Sequence, residues 1–511
     1  MSITAGPITT GLITTGADVV IVGGGSCGSV LAARLSEDSA RSVLLLESGA
    51  PGGVGAGPTP AHLLPIGPDS ERARSYRSAL GPDPTESAGS RTTLVRGRGI
   101  GGSGAVNGAY FVRATAADLD AWDRAAGGSA ARRSALWTYD AALPYFRRSE
   151  LDCDFGENPV HGSAGPIPVR RQAERDWHPV TARIADAARS AGFPDEADKN
   201  GPGPAGFGPV PCNIDEGLRI DPASAYLGLT DPEGAFRRPN LTIATSATVR
   251  RIVMRAGSAV GVEVDSGGGT HTITAGTVVI AGGAIESPAL LWRSGIGDPH
   301  VLGADTRHPL PGVGREFSDH PEITIPYVPE KPEDHTPAPL LEACLNTDDG
   351  IEIRPYTASF GDAVPGNPPM PPVIGAAVMA PHGRGTLRPH PADPHGAPVI
   401  EHRYFADPRD REAARVGIDL ARGLLAASGI GRPGEPRVGT SQHLCGTCPM
   451  GADQAVAVVD DHCRVHGIDG LFVVDTSVFP RIPSRGPHAT AVMLAERAAE
   501  FIAGAPGDIT K

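Results

Sequence analysis

Gly23-x-Gly25-x-x-Gly28 stands between an apolar run over residues 19–22 and a helix-forming stretch over 29–35. That spacing suits a dinucleotide pyrophosphate. The first glycine permits a tight turn, the second lets phosphate approach the backbone, and the third lets helix pack on strand. Free N–H groups and the positive end of the helix dipole then face the phosphates, with Ser26 and Cys27 inside the turn. Glu47 follows Gly28 by 19 residues, a position from which a carboxylate accepts hydrogen bonds from an adenosine ribose. An ordinary glycine-rich turn is the plain alternative, and this unit alone does not separate NAD from FAD. A second constellation, His443-x-Cys445-x-x-Cys448 with His462, Cys463 and His466 downstream, has the residue types of a zinc site or a redox dithiol.

These groups require elements to hold them. The β-branched run at 19–22 predicts a strand buried on both faces, and 42–46 predicts a second strand ending at Glu47. Residues 278–281 read as another buried strand that enters a helix at Gly282 and Gly283, a second nucleotide-facing turn. Residues 408–427 carry apolar positions at helical spacing and stop near Gly429, and 489–503 form a closing helix. The Pro-rich stretches 330–371 and 380–400 show no period and read as loops bordering a second domain, suited to a lid. No internal repeat is present.

Composition narrows the classes. The 511 residues suffice for three or four domains, or fewer large ones. With 40% hydrophobic and 20% charged residues the chain is not of the disordered type. Gly 67 and Pro 50 together make 117/511, about 23%, which implies many ordered loops. A net charge of −13 argues against a nucleic-acid partner, whose affinity is built from clustered Lys and Arg. No apolar run reaches the ~18 residues of a membrane span. The first residues lack a basic n-region and an apolar h-region, so no signal peptide is expected. Seven scattered cysteines do not suit a disulfide scaffold, and they point to a cytoplasmic chain, with peripheral membrane association left open.

Three further stretches carry a family resemblance. Residues 97–111, GRGIGGSGAVNGAYF, resemble the first signature of the glucose-methanol-choline (GMC) flavoprotein oxidoreductases, and 283–297, GAIESPALLWRSGIG, their second. Residues 443–451, HLCGTCPMG, followed by RVHGIDGLFVVDTSV at 464–478, are similar to the family's closing block. Weaker echoes include His161-Gly-Ser-Ala-Gly-Pro and Leu310-Pro-Gly-Val-Gly-Arg followed by Asp319-His. The fold implied is α/β (α+β overall). A discontinuous, doubly wound, Rossmann-like FAD domain would span 15–155, 205–315 and 440–505. A substrate domain of antiparallel sheet plus helices would span 156–204 and 316–439, with the active site between the two.

The resemblance places FAD against Gly23, Gly25, Ser26, Cys27, Gly28, Glu47, Arg98, Gly101, Gly102, Ser103, Asn107, Gly108, Val249, Gly282, Gly283, Asp475, Ser477 and Val478. Two of these keep plain alternatives: Asn107 as a turn-capping residue and Val249 as an ordinary strand valine. Covalently flavinylated relatives carry a histidine where Val106 stands, so FAD is expected to be noncovalent. No metal is expected. His443 occupies the position of the catalytic base, which takes the hydroxyl proton while the carbon-bound hydride passes to flavin N5. An ungapped count puts Gly486 at the second active-site position; His488, two residues on, fills it after a local shift, or is a histidine at a helix N-terminus. Arg485 beside them suits an anionic substrate group.

The reaction implied is oxidation of CH–OH, with electrons passed to oxygen or a respiratory carrier. The ending RGPHATAVMLAE looks most like the GMC member of the mycofactocin system, whose donor is a reduced peptide-derived cofactor; small or choline-like alcohols are the rivals. A non-redox FAD lyase, a zinc-bound protein and a nicotinamide dehydrogenase are the other readings.

Overall fold

The computed structural model describes residues 8–10, 14–50, 59–81, 91–127, 134–228, 238–330, 337–393 and 395–504. Its larger sheet has eight strands. Across it lie Ile8–Thr10, Leu241–Thr245, Val43–Leu46, Gly16–Val22, Gly269–Ile280, Ser258–Ser266 and Thr248–Arg255, and Leu471–Val473 adds to Gly269–Ile280. The strand Gly16–Val22 pairs in parallel with Val43–Leu46 on one side and with Gly269–Ile280 on the other. Val20, Ile21, Leu45, Val279 and Ile280 are fully buried, as strands covered on both faces must be. The helices Ser26–Leu35 and His488–Ala503 pack together on this sheet, pinned by Arg34 to Glu496 at 2.8 Å.

A second sheet, antiparallel, runs Gly431–Pro433, Pro321–Pro329, Val373–Val378, Ile351–Pro355, Ala343–Asn346 and Phe207–Pro209, and Arg437–Thr440 adds to Pro321–Pro329. The helices Pro179–Ser190 and Pro408–Ser428 contribute to its core, in which Ile184, Ile325, Ile353 and Leu424 are buried together. Separate cores are what make two layered units of one chain. The mixed α/β class implied by the family resemblance is therefore observed, and helix 408–428 ends at Gly429 with φ +61.

Two expectations need correction. The Pro-rich stretches 330–371 and 380–400 were expected to be loops, yet they contain the strands Ala343–Asn346, Ile351–Pro355, Thr386–Arg388 and Val399–Glu401. Strands this short carry too few residues to display a period, and their stability comes from neighbours far along the chain. The second concerns assignment of segments. Phe207–Pro209, placed on the FAD side by the 205 boundary, pairs with Ala343–Asn346 in the antiparallel sheet. Ala73–Ala79 and Arg91–Gly97 share a four-stranded sheet with Thr386–Arg388 and Val399–Glu401, so the two units interleave there.

Candidate active site

Two glycine loops and one carboxylate form the first part of the site. Gly23 turns at φ +106, where an added Cβ would lie 2.5 Å from the Ala281 carbonyl oxygen. A Cβ on Gly28 would lie 1.9 Å from the Gly23 oxygen, so helix and strand approach more closely than any side chain allows. Gly101 N–H donates to the Gly24 carbonyl at 2.8 Å, bringing the 97–104 loop onto the first turn. Glu47 clamps the assembly: it accepts from Gly24 N–H at 2.8 Å, Gly49 N–H at 2.7 Å and Gly99 N–H at 3.0 Å.

The closing block supplies the other wall. Asp475 accepts from Gly283 N–H and the Ser287 hydroxyl through one oxygen and from Ser477 N–H through the other. Gly282 N–H donates to Ser287. Cys27 and Val106 are buried, with the Cys27 thiol donating to the Ala491 carbonyl. Ser103 accepts from Gly97 N–H, Val249 is a buried strand residue paired with Val264, and Arg98 and Ser103 are exposed. Gly102 has φ +50, Gly108 follows Asn107 in the loop, and Val478 is buried beside Ser477.

This cradle fits a dinucleotide. Gly25 faces open space apart from Gly102 Cα at 3.9 Å, Gly283 has nothing within 4 Å of its missing Cβ, and the buried Ser477 hydroxyl has, among the described residues, only the Cys448 thiol beside it. Amide-rich concavities with a spare hydroxyl donor are what phosphates select.

The histidines are divided between two places. His488, at the N-terminus of the last helix, puts Nε2 3.3 Å from the Ser26 hydroxyl and Nδ1 3.2 Å from the Asn107 amide nitrogen, and Phe111 packs edge-on against its ring. Asn107 accepts Ala109 N–H through its oxygen. Burial lowers the His488 ring to about 4. His443 lies elsewhere, with Gly486 against it: a Cβ on Gly486 would be 3.9 Å from His443 Cε1.

His443 is held by groups that sequence reading gave no role. Its Nδ1 is 2.9 Å from His320 Nδ1, and its backbone N–H donates to Asp319 at 2.7 Å. Asp319 also accepts from Tyr404 and Thr440 and pairs with His402, whose other nitrogen meets Ser78. Burial alone would raise Asp319, but these hydrogen bonds, led by His402, hold it well below the usual carboxylate range. Burial, with repulsion from His320 and Arg354, pushes His443 well below 6.5, and burial lowers His320 to about 4. The site therefore presents a neutral imidazole at pH 7. Among the described residues His443 Nε2 has no hydrogen-bond partner. The Asp319-His320 pair was visible as a motif, but nothing in its sequence context signalled contact with residue 443.

Beyond lies a charged wall. Arg485 Nη2 reaches Glu196 at 3.3 Å, Lys199 bonds Glu196 and Asn346, and Arg354 pairs with both Glu322 and Glu352. The Arg485 Nε is buried without a partner.

The zinc arrangement does not assemble among the described residues. His443 turns to His320, Cys445 donates to the His443 carbonyl, and His466 pairs with the Gly451 carbonyl. Burial raises the Cys445, Cys448 and Cys463 thiols well above their usual value, the reverse of a reactive dithiol. Glu150, Asp152 and His161 do converge, but Arg113 and Arg171 already neutralise them. Burial opposes a charge on His161, yet Asp152, Asp198 and Glu150 raise it to about 10.

A doubly wound parallel unit with a glycine-turn cradle, joined to an antiparallel unit, is the architecture expected of a flavin-type oxidoreductase. The family model described as GMC oxidoreductase matches residues 17–322 and again 381–495. The chain belongs to the GMC oxidoreductase family, and is an FAD-dependent enzyme acting on alcohol-type donors. It is 45% identical to an uncharacterised GMC-type oxidoreductase of Rhodococcus erythropolis, over 96% of this chain and 98% of that one. An oxygen-dependent choline dehydrogenase of Chromohalobacter salexigens is 34% identical, covering 95% of each chain. The crystal structure of pyridoxine 4-oxidase from Mesorbium loti superposes with a TM-score of 0.81 at 30% identity, over 95% of this chain and 98% of that one.

Proposed function

We propose that the protein oxidises a CH–OH group with His443 as the base, the observation behind this being a neutral, half-buried His443 with Nδ1 tied to His320 and, among the described residues, Nε2 unpaired. When Nδ1–H donates to His320, the lone pair of His443 sits on Nε2, ready to accept the hydroxyl proton. Asp319 fixes the backbone of both histidines, so the imidazole is positioned before substrate arrives. FAD, held noncovalently since Val106 offers no attachment atom, supplies the acceptor for the carbon-bound hydride. The glycine turns, Ser26, Asp475 and Ser477 would hold its pyrophosphate end, Glu47 would accept from the ribose, Val249 would back the adenine, and Asn107 and His488 would stand towards the flavin end. His488 then orients Asn107 and Ser26, while His443 moves the proton. We keep the division into an FAD unit and a substrate unit as our reading, with 207–209 moved to the antiparallel sheet and the strands Ala73–Ala79 and Arg91–Gly97 interleaved between the two.

The donor we favour is a reduced peptide-derived cofactor of the mycofactocin type, with electrons delivered to a respiratory carrier in the cytoplasm or at the membrane surface. The closing sequence RGPHATAVMLAE supports it. Choline-like or other small alcohols are the second reading, supported by the choline dehydrogenase relatives. Against a quaternary ammonium, the carboxylates of the charged wall, Glu196, Glu322 and Glu352, each already pair with a lysine or arginine. Anaerobic titration of the yellow holoenzyme with candidate donors tests the reaction. Bleaching by an alcohol is expected, and the speed of recolouring under oxygen separates oxidase from dehydrogenase. Absence of bleaching with every CH–OH donor, including the reduced peptide cofactor, would favour the lyase.

A further inference from the structure

A cavity of about 690 Å³ is walled in part by Cys445 and not by His443, two residues before it. No residue of the cradle or the proton-accepting pair lines it. Three arginines from distant parts of the chain do: Arg315, Arg384 and Arg481. None has a carboxylate partner among the described residues. Arg315 reaches only the Ala455 carbonyl, Arg384 reaches the carbonyls of its own turn, and Arg481 is anchored through its backbone oxygen to Trp122. Arg481 also lies close enough to Arg384 that, added to burial and opposed by Glu316, it lowers the Arg384 guanidinium. Glu316 offsets part of the repulsion among these like charges, and a bound anion would relieve the remainder.

Its apolar surface lies at the rim, where Val456, 49% exposed, is one of the few large apolar side chains left in water; Phe317, Met450 and Phe479 back the cavity but are themselves almost fully buried. Charge accounting favours an anion even after the acids are included. Arg124 is paired with Asp120, and Glu316 and Asp453, which also line the cavity, leave the three remaining arginines one positive charge in excess. In a chain of net charge −13, such a local excess of positive charge is set against the overall field.

We infer that this cavity binds a small organic anion: a carboxylate, sulfonate or phosphate head on the arginines, with an aromatic or acyl body against Val456. The site is separate from the alcohol-oxidising pocket and does not depend on the donor assigned above. It does share two chain segments with that pocket, through Cys445, two residues from His443, and Arg481, five residues from Gly486.

The probe is 8-anilinonaphthalene-1-sulfonate, titrated by fluorescence into flavin-loaded full-length protein, with neutral dansylamide as its uncharged counterpart. Saturable binding of the sulfonate, weakened by salt, and little binding of dansylamide are expected. Arg315→Gln with Arg481→Gln should weaken the sulfonate about tenfold or more, the size of one lost charge-assisted hydrogen bond. Val456→Trp, which leaves the arginines in place and fills the rim, should also weaken it; visible flavin absorbance and thermal unfolding check that each variant is folded. Unsaturable binding, or an affinity indifferent to salt and to both variants, would overturn the site and leave adventitious dye adsorption, without touching the proposed oxidation.

Discussion

The nucleotide cradle and the histidine pocket lie in one molecule but are specified in opposite ways. The cradle is made of backbone: glycine turns at 23–28 and 97–104, open space beside the Gly25 Cα, and Glu47 fastening three N–H groups. Its essential contacts are set by what cannot be present, a Cβ. The pocket is made of side chains brought from 78, 319, 320, 402, 404, 440 and 443, and its central property, a neutral imidazole, comes from burial and partners. Backbone sites tolerate little substitution at one residue and are indifferent to charge. Side-chain sites degrade by degrees and respond to pH.

That contrast can be broken at several points. Gly28→Val should give the largest effect, colourless protein with no FAD, because its Cβ would occupy the space of the Gly23 oxygen; absorbance at the flavin bands after reconstitution reads it. His443→Ala should keep FAD but slow anaerobic flavin reduction about 10²-fold or more in stopped flow; near-normal reduction would move the base elsewhere. Asp319→Ala strips several buried donors of their acceptor and should cost about 3–5 kcal/mol in thermal or urea unfolding, with FAD still bound by the intact cradle. His488→Ala, which frees Ser26 and Asn107, should weaken FAD about tenfold in equilibrium binding with less effect on proton abstraction. A loss of reduction rate as large as that of His443→Ala would instead give His488 a place in the proton transfer.

The smallest effect is the pH dependence. His443 acts in its neutral form and burial depresses its ionisation, so kcat/KM should hold as pH falls through 6.5 and decline only well below it. Stability has a different window. His320 and His488 titrate near 6.5 in the unfolded chain but near 4 when folded. Their contribution is complete above 6.5 and is lost as pH falls towards 4, as the unfolded state takes up protons first. Unfolding midpoints across that range measure it.

Much of the cradle was legible in the residues themselves. The strand at 16–22, the helix beginning at Ser26 and the Asp475 turn lie where the local sequence and the GMC signatures place them, since glycine geometry and β-branched burial act over a few residues. The pocket was legible only in part. His443 stood out by its flank, whereas Asp319, His320 and His402 did not, and His488 proved to face Ser26 and Asn107 while Gly486 stands against His443. The antiparallel strands at 343–355 escaped notice for a related reason, being short and punctuated by Asp, Gly and Pro.

The chain alone pointed to a dinucleotide near residues 23–28 and to a redox flavoprotein family. Only the folded molecule decided which imidazole meets which, what each carboxylate holds, and where arginines are left without partners. Turns are governed by φ, ψ and the absence of a side chain, quantities local to a few residues. Ionisation and hydrogen-bond partnership depend on burial and on groups hundreds of positions apart, which are neighbours only once the sheets have closed.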